Sequence, residues 1–412
     1  MNAVSGNKVR YIVISALRTT ALLCASGPLL QTFVETLGFN SQFNYIHTTL
    51  LQVVNVLTII LGANWADKGN IIKRTALLEL PMALMYFVYV PFCFFKFGDG
   101  DAYLPFILLL SVGLVQMFCV GLHTVCDYKL PYFLFKVEEY GVVTAISGVV
   151  GSFVSLGVSS LISVLSSKIE FTTLMIFAFI LSALFMVLSG VLQLFQKSII
   201  NMDEVQIKED GKNAIPLSKV FAHPAFYRLI IPNLLRGFAT GALSVLAIAA
   251  FDLGFDETVS SALVSVQSAA GLAGCVVFGI LSVYINPRVI AFLGSLTFLF
   301  LPLMLSENKY VFLAVATVVV FGRTFVDYSV PVALMKVVPV EIAGPYNAWR
   351  MVLHSGGTLI ATSIAAFIPI ELLFGIAIVF QLIAGSMFML DKIMRKDSPV
   401  FLRKKQMGGT SK

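Results

Sequence analysis

Charge is what this sequence has least of. Only 12% of its 412 residues are Asp, Glu, Lys or Arg, roughly half the share usual in a soluble protein. Hydrophobic residues make up 58%, and no water-soluble core could hide that much apolar surface. A solvated globular domain is therefore excluded. Cysteine is also scarce. Cys24, Cys93, Cys119, Cys126 and Cys275 all fall in apolar stretches without metal-ligand spacing, so they read as small packing residues. No glycine-rich phosphate loop, zinc spacing, paired catalytic carboxylates or nucleophile elbow stands in a suitable context. The chain is thus expected to be no enzyme, to carry no cofactor or metal, and to use no ATP directly. A basic folded face for nucleic acid is missing too. The first apolar stretch lacks a clear small-residue cleavage site and reads as a retained helix.

What is present is a succession of long apolar runs, with a mean hydropathy of +0.91. A membrane-spanning helix needs about 20 mainly apolar residues. Twelve stretches satisfy that length: 9–33, 44–64, 75–97, 103–126, 141–166, 171–195, 225–250, 258–284, 288–305, 310–335, 345–368 and 371–391. They are continuous, whereas barrel strands alternate polar and apolar residues. The expectation is an all-α membrane protein with twelve transmembrane helices.

Basic residues in short loops set orientation. On one side the loops hold Lys96, Lys168 and Lys309 against nine acids, among them Glu35, Asp252 and Glu307. The other side holds Lys8, Arg10, Lys68, Lys73, Arg74, Lys136, Arg288, Lys336 and the tail from Lys392 to Lys405. Both termini are expected in the cytosol, and the formal net charge of +6 follows from that topology.

The chain repeats itself. "DYKLPYFLFKV" (127–137) and "DYSVPVALMKV" (327–337) share six of eleven residues at an offset of 200. "ALRTTALL" around Arg18 precedes "LGF" at 37–39, and "LLRGFATG" around Arg236 precedes "LGF" at 253–255, at offsets of 218 and 216. One polar, charged segment, 197–224, separates six expected helices from six. The expected domains are therefore a six-helix bundle over 1–196, a cytosolic linker over 197–224, a second bundle over 225–392 and a basic tail over 393–412. Internal repeats of this kind are the trace of secondary transporters.

Six helices, a charged loop, six helices and cytosolic termini resemble the major facilitator superfamily over nearly the whole chain. The loop "GANWADKGNIIKR" (62–74) is similar to that family's Gly-x-x-x-Asp-Arg/Lys-x-Gly-Arg-Arg/Lys motif, with Asp67, Lys68, Gly69, Lys73 and Arg74 matched. Gly62 is one residue too far from Asp67, Gly69 one too close to Lys68, and Asn70 stands where Arg is usual. The equivalent loop, "GILSVYINPR" (279–288), has lost the acid. The resemblance implies alternating access between two pseudo-symmetric bundles, with Asp67, Lys68, Gly69 and Arg74 as a cytosolic latch. "LPYFLFKVEEYG" (130–141) is similar to a Pro-Tyr-containing segment of the melibiose-permease group. That group's twin acids in the second helix are absent, since 44–64 contain no Asp or Glu. The fifth stretch, 141–166, contains no Pro and so lacks the exporter-type signature, which tilts the reading toward uptake.

Charges within the spans carry the functional expectation, because each costs about 2.5–3.5 kcal/mol even on the lenient insertion scale. Arg18 lies nine residues past Val9, roughly 13 Å into its span, and Arg236 is similarly deep. The resemblance implies that both line a central cavity, where they would hold an anionic or polyhydroxyl substrate. A helix-to-helix ion pair is the competing reading. Arg323 and Asp327 are one helical turn apart and can pair, and His123 and Asp127 repeat that spacing. These four are coupling or gating candidates, with Arg350. His354, one turn beyond Arg350, and Gln116 join Arg18 and Arg236 as substrate-binding candidates. Glu79, Asn55, Gln52 and Gln267 are lesser polar candidates. The small-residue runs 147–160 and 268–279 permit close helix approach.

The expectation is a monomeric secondary transporter in the plasma membrane, moving a small polar or anionic solute. The coupling ion is expected to be a proton, with sodium left open. A non-transporting sensor or lipid-handling protein on the same fold is the alternative class.

Overall fold

Hydrocarbon offers peptide groups no hydrogen-bond partners, so apolar runs of this length close their own bonds. In the computed structural model every described element is a helix. The structure describes residues 3–66, 70–95, 103–135, 137–198, 224–335 and 340–390; most of the linker and the basic tail lie outside them.

The α-helices are α1 (Ala3–Ala25), α2 (Gly27–Thr36), α3 (Ser41–Ala66), α4 (Ile71–Tyr89), α5 (Tyr103–Leu134), α6 (Val137–Ser166), α7 (Phe171–Leu194), α8 (Pro224–Ser244), α9 (Leu246–Asp252), α10 (Glu257–Tyr284), α11 (Pro287–Leu296), α12 (Lys309–Met335), α13 (Val340–Ala365) and α14 (Ile370–Leu390). Short 3₁₀ turns extend α4 over Val90–Phe94 and α11 over Thr297–Leu305. Among the described residues, ten helices are long and apolar enough to cross a membrane, counting α1 with α2 as one. An eleventh is the α8–α9 pair, bent by 45°. α13 covers most of the remaining expected span, 345–368, ending at Ala365. Large apolar side chains such as Leu61, Leu77, Phe153 and Phe177 stand exposed, as lipid-facing residues do and as solvated ones seldom do in such number.

The repeated "LGF" is a repeated helix stop. Gly38 (φ 94°) and Gly254 (φ 81°) adopt the left-handed conformation just past α2 and α9, which a glycine adopts without steric cost. Leu37 N–H donates to the Phe33 carbonyl at 3.1 Å, and Leu253 N–H donates to that of Ala249 at 3.0 Å. The loops before α4 and α11 also match. The Asn70 side chain accepts from Lys73 N–H and that of Asn286 from Arg288 N–H, each at 3.1 Å. Both are N-caps of the usual kind.

The chain divides into two compact units. Unit 1 comprises Met1–Ala214, Leu243–Ser268 and Thr362–Ile368; unit 2 comprises Ile215–Ala242, Ala269–Ala361 and Pro369–Lys412. In unit 1, α1 packs on α6 and α7, α4 on α5 and α7, and α9 on α2 and α3. Its core includes Phe33, Tyr89 and Phe179, with the Tyr89 and Phe179 rings stacked at 5.1 Å. In unit 2, α11 packs on α12 and α14. There α8 and α13 approach backbone to backbone: a Cβ on Gly237 would overlap the His354 carbonyl, and one on Gly357 the Leu234 carbonyl.

Candidate functional site

Among the described residues, each unit holds a cluster of charged side chains deep within its apolar helices. In unit 1 the cluster is built on Arg18 of α1. Its Nη1 donates to Asp127 Oδ1 on α5 at 2.6 Å, and its Nη2 to Glu79 Oε1 on α4 at 2.5 Å. Glu79 Oε1 also lies 3.1 Å from His123 Nε2. Arg18, Glu79 and His123 are buried, at 7%, 0% and 5% exposure. The Asp127 side chain is 37% exposed. The cluster therefore has a dry end at Glu79 and an accessible end at Asp127. Gly190 of α7 makes room for Glu79: a Cβ there would lie 3.4 Å from the Glu79 Cβ. A lone ion in this setting would be prohibitively costly, and the short charge-assisted contacts offset that cost.

In unit 2, Asp327 of α12 accepts from Arg236 Nη2 of α8 at 3.2 Å and from Arg323 Nε, one turn earlier on its own helix, also at 3.2 Å. Arg236 is 6% exposed and the Asp327 side chain 34%. His354 of α13 lies within electrostatic reach of Arg236, Arg323 and Arg350, and its Nδ1 is buried without a partner among the described residues. Three arginines and one histidine thus lie in the same region, with Asp327 as the described carboxylate among them. Where unit 1 has Glu79, the same offset of 216 that relates the two "LGF" stops falls on Ser295 of α11. Ser295 accepts from Gln381 Nε2 at 3.0 Å and packs against Gly385 of α14, as Glu79 packs against Gly190.

The comparisons with known proteins agree on one family. Residues 12–362 match the model of the Major Facilitator Superfamily. The chain belongs to that superfamily. Solved structures of transporters share its fold. A D-xylose–proton symporter matches with a TM-score of 0.69 at 10% identity, over 94% of this chain and 98% of the symporter. A nucleoside transporter matches with 0.64 at 13% identity, over 93% and 99%. A bacterial homologue of the iron transporter ferroportin, in its inward-facing state, matches with 0.66 at 15% identity, over 95% and 99%. No curated protein sequence matches the chain.

Against this frame of a major facilitator superfamily transporter, the expected residues sort clearly. Arg18 and Arg236 hold equivalent ion pairs with Asp127 and Asp327, so the competing helix-to-helix reading describes their contacts. The partly exposed carboxylates keep each pair connected to a more accessible surface. Arg323 and Asp327 pair as their spacing predicts. His123 does not turn to Asp127 but to Glu79, because Glu79 brings a fully buried carboxylate to the same level. Arg350 is buried at 7% and joins the unit 2 group through His354. Gln116 lies apart: it is 2% exposed, beside the Tyr86 hydroxyl inside unit 1. Asp67, Lys68 and Gly69 fall outside the described residues, while Arg74 sits half-buried on the first turn of α4. Glu79, a lesser polar candidate by sequence, is the centre of the unit 1 cluster. Its solitary occurrence in a long apolar helix was the available signal.

Proposed function

We propose that the protein is a secondary active transporter that takes up a small anionic solute by alternating access, coupled to protons. Its twelve spans form two pseudo-symmetric bundles, each presenting one charge cluster to the transport path. The observation that carries the reading is the unlike charge of the two clusters. Unit 2 gathers Arg236, Arg323 and Arg350 around His354. An arginine presents five N–H donors in a planar fork that suits carboxylate and phosphate, so Arg323, partly exposed and meeting Asp327 through Nε, can offer its terminal nitrogens to an anion.

Unit 1 gathers two carboxylates on Arg18, with His123 beside them. One added proton makes the Arg18–Glu79–Asp127 set neutral, and a neutral set costs far less to enclose in low dielectric than a charged one. Asp127 is the accessible member of the set and the proton acceptor. Both termini face the cytosol, as the basic loops favour, and the protein works as a monomer in the plasma membrane.

The test is a thermal-shift screen of purified protein against anionic, neutral and cationic metabolites. Uptake of the hits is then measured in proteoliposomes with and without a pH gradient. Anionic hits whose uptake is driven by the gradient, and which fail to stabilise Arg323→Gln, support the assignment. Stabilisation by neutral or cationic compounds alone would overturn it.

A further inference from the structure

At the end of unit 1 remote from the amino terminus, a second acidic group holds first-half and second-half residues together. Ser41 Oγ, at the start of α3, donates to Asp252 Oδ1 at 2.6 Å, and Tyr45 OH donates to Asp252 Oδ2 at 3.1 Å. Gln31 Nε2 of α2 donates to the Ser244 carbonyl at 2.7 Å. Glu35 of α2 lies within hydrogen-bonding reach of the same Ser41 hydroxyl and within electrostatic reach of Asp252. Its Oε1 accepts from Asn44 Nδ2 at 3.1 Å.

Counting hydrogens shows what is missing. A serine hydroxyl has one proton, and Asp252 takes it. Ser41 can then meet Glu35 only as an acceptor. Asn44 is completely buried; its Nδ2 donates to the Gln31 carbonyl at 2.8 Å, which fixes the orientation of the amide. The Ser41 hydroxyl oxygen therefore meets Glu35 as an acceptor, and a proton on Glu35 serves it; Asn44, whose Nδ2 already meets Glu35, keeps a buried Oδ1 without a donor among the described residues.

The other titratable groups here do not supply that hydrogen. α2, α3, α9 and α10 contain no Lys or Arg. Tyr45 donates to Asp252, and His47, further along α3, faces the Phe106 ring. Asp256 caps α10, accepting from Thr258 and Val259. Glu257 opens the same helix. A metal ion suits the group poorly, because the Ser41, Tyr45 and Asn44 groups that reach the carboxylates point hydrogens at them.

We infer that Glu35, Ser41, Asn44 and Asp252 form a proton-binding latch, in which a proton on Glu35 holds the outer ends of α2 and α3 against α9. The inference rests on the alternating-access reading but assigns a proton site separate from the Arg18 cluster. Loss of the proton sets two carboxylates on one hydroxyl, and like charges at such a separation repel. The outer closure is then released.

The experiment places spin labels at Lys168→Cys in unit 1 and Glu307→Cys in unit 2, both exposed residues expected on the outer face. Cys275 is replaced by Ser; the other four cysteines are buried. Pulsed dipolar distances are collected across about pH 4 to 8, the range open to a carboxyl group in an apolar setting. The ratio of closed to open populations should rise as pH falls, by up to about tenfold per unit for a single proton. Glu35→Gln should stay closed at every pH, and Asp252→Ala should favour the open population at every pH.

A Glu35→Gln protein that titrates like wild type would overturn the latch, as would sodium reproducing the effect at fixed pH. If the distances answer to a solute from the thermal-shift screen but not to pH, the latch fails while the transport reading stands. If they answer to neither, both fail.

Discussion

Unit 1 and unit 2 each hold an Arg–Asp ion pair, and the two pairs have differently charged neighbours. Arg18 and Arg236 pair with Asp127 and Asp327 in equivalent places. In unit 1 the cluster then gains a second carboxylate, Glu79, and a histidine. In unit 2 the Glu79 place is Ser295, the His123 place is Arg323, and Arg350 is added. The lesson is that a duplicated ion pair is a neutral starting point. On the proposed reading, a few changed neighbours suit one copy to accepting a proton and the other to accepting an anion.

Stability should expose the difference most sharply. Removing Arg18, as in Arg18→Leu, leaves Glu79 and Asp127 without their cation and should destabilise the protein by about 3–5 kcal/mol, seen as a much lower unfolding temperature in detergent. Ser295→Ala, at the equivalent of Glu79, removes neutral hydrogen bonds alone and should cost about 1 kcal/mol. Comparable losses for the two variants would break the contrast.

Packing gives the next largest effect. Gly237→Ala forces α8 away from the His354 carbonyl and should cost about 1–3 kcal/mol. Gly190→Ala, whose Cβ would meet nothing closer than 3.2 Å, should cost distinctly less by the same thermal measurement.

Function should separate the units in kind. Asp127→Asn should abolish the response of uptake to a pH gradient while sparing substrate exchange between the two sides of the vesicle. Arg323→Gln should keep the pH response and raise the half-saturating solute concentration about tenfold, the equivalent of roughly 1.4 kcal/mol. His123→Gln should have the smallest effect, a modest shift in the pH profile, since it alters one hydrogen bond to Glu79 worth about 1 kcal/mol. Exchange of these phenotypes between the halves would reverse the assignment of roles.

The regular features were legible in the sequence because their causes are local. Apolar runs of spanning length mark helices, "LGF" marks two helix stops, and a four-residue spacing marks the Arg323–Asp327 pair. The constellation in unit 1 was less legible. Glu79 reaches Arg18 across 61 positions in the chain, and only folding brings α4 beside α1 and α5. The same holds for Ser41 and Asp252, 211 positions apart. His123 illustrates the reason: its local spacing favours Asp127, but a buried carboxylate on another helix outcompetes that neighbour. Local spacing shows which contacts are possible, and tertiary packing chooses among them.

The bare contact between Gly237 and the His354 carbonyl has a mechanical outcome. With no side chain to act as a cushion, α8 and α13 behave as one rod at that level, carrying Arg236 and His354 together. If the proposed solute is held by either side chain, it must drag the other, so that grip and displacement become a single event.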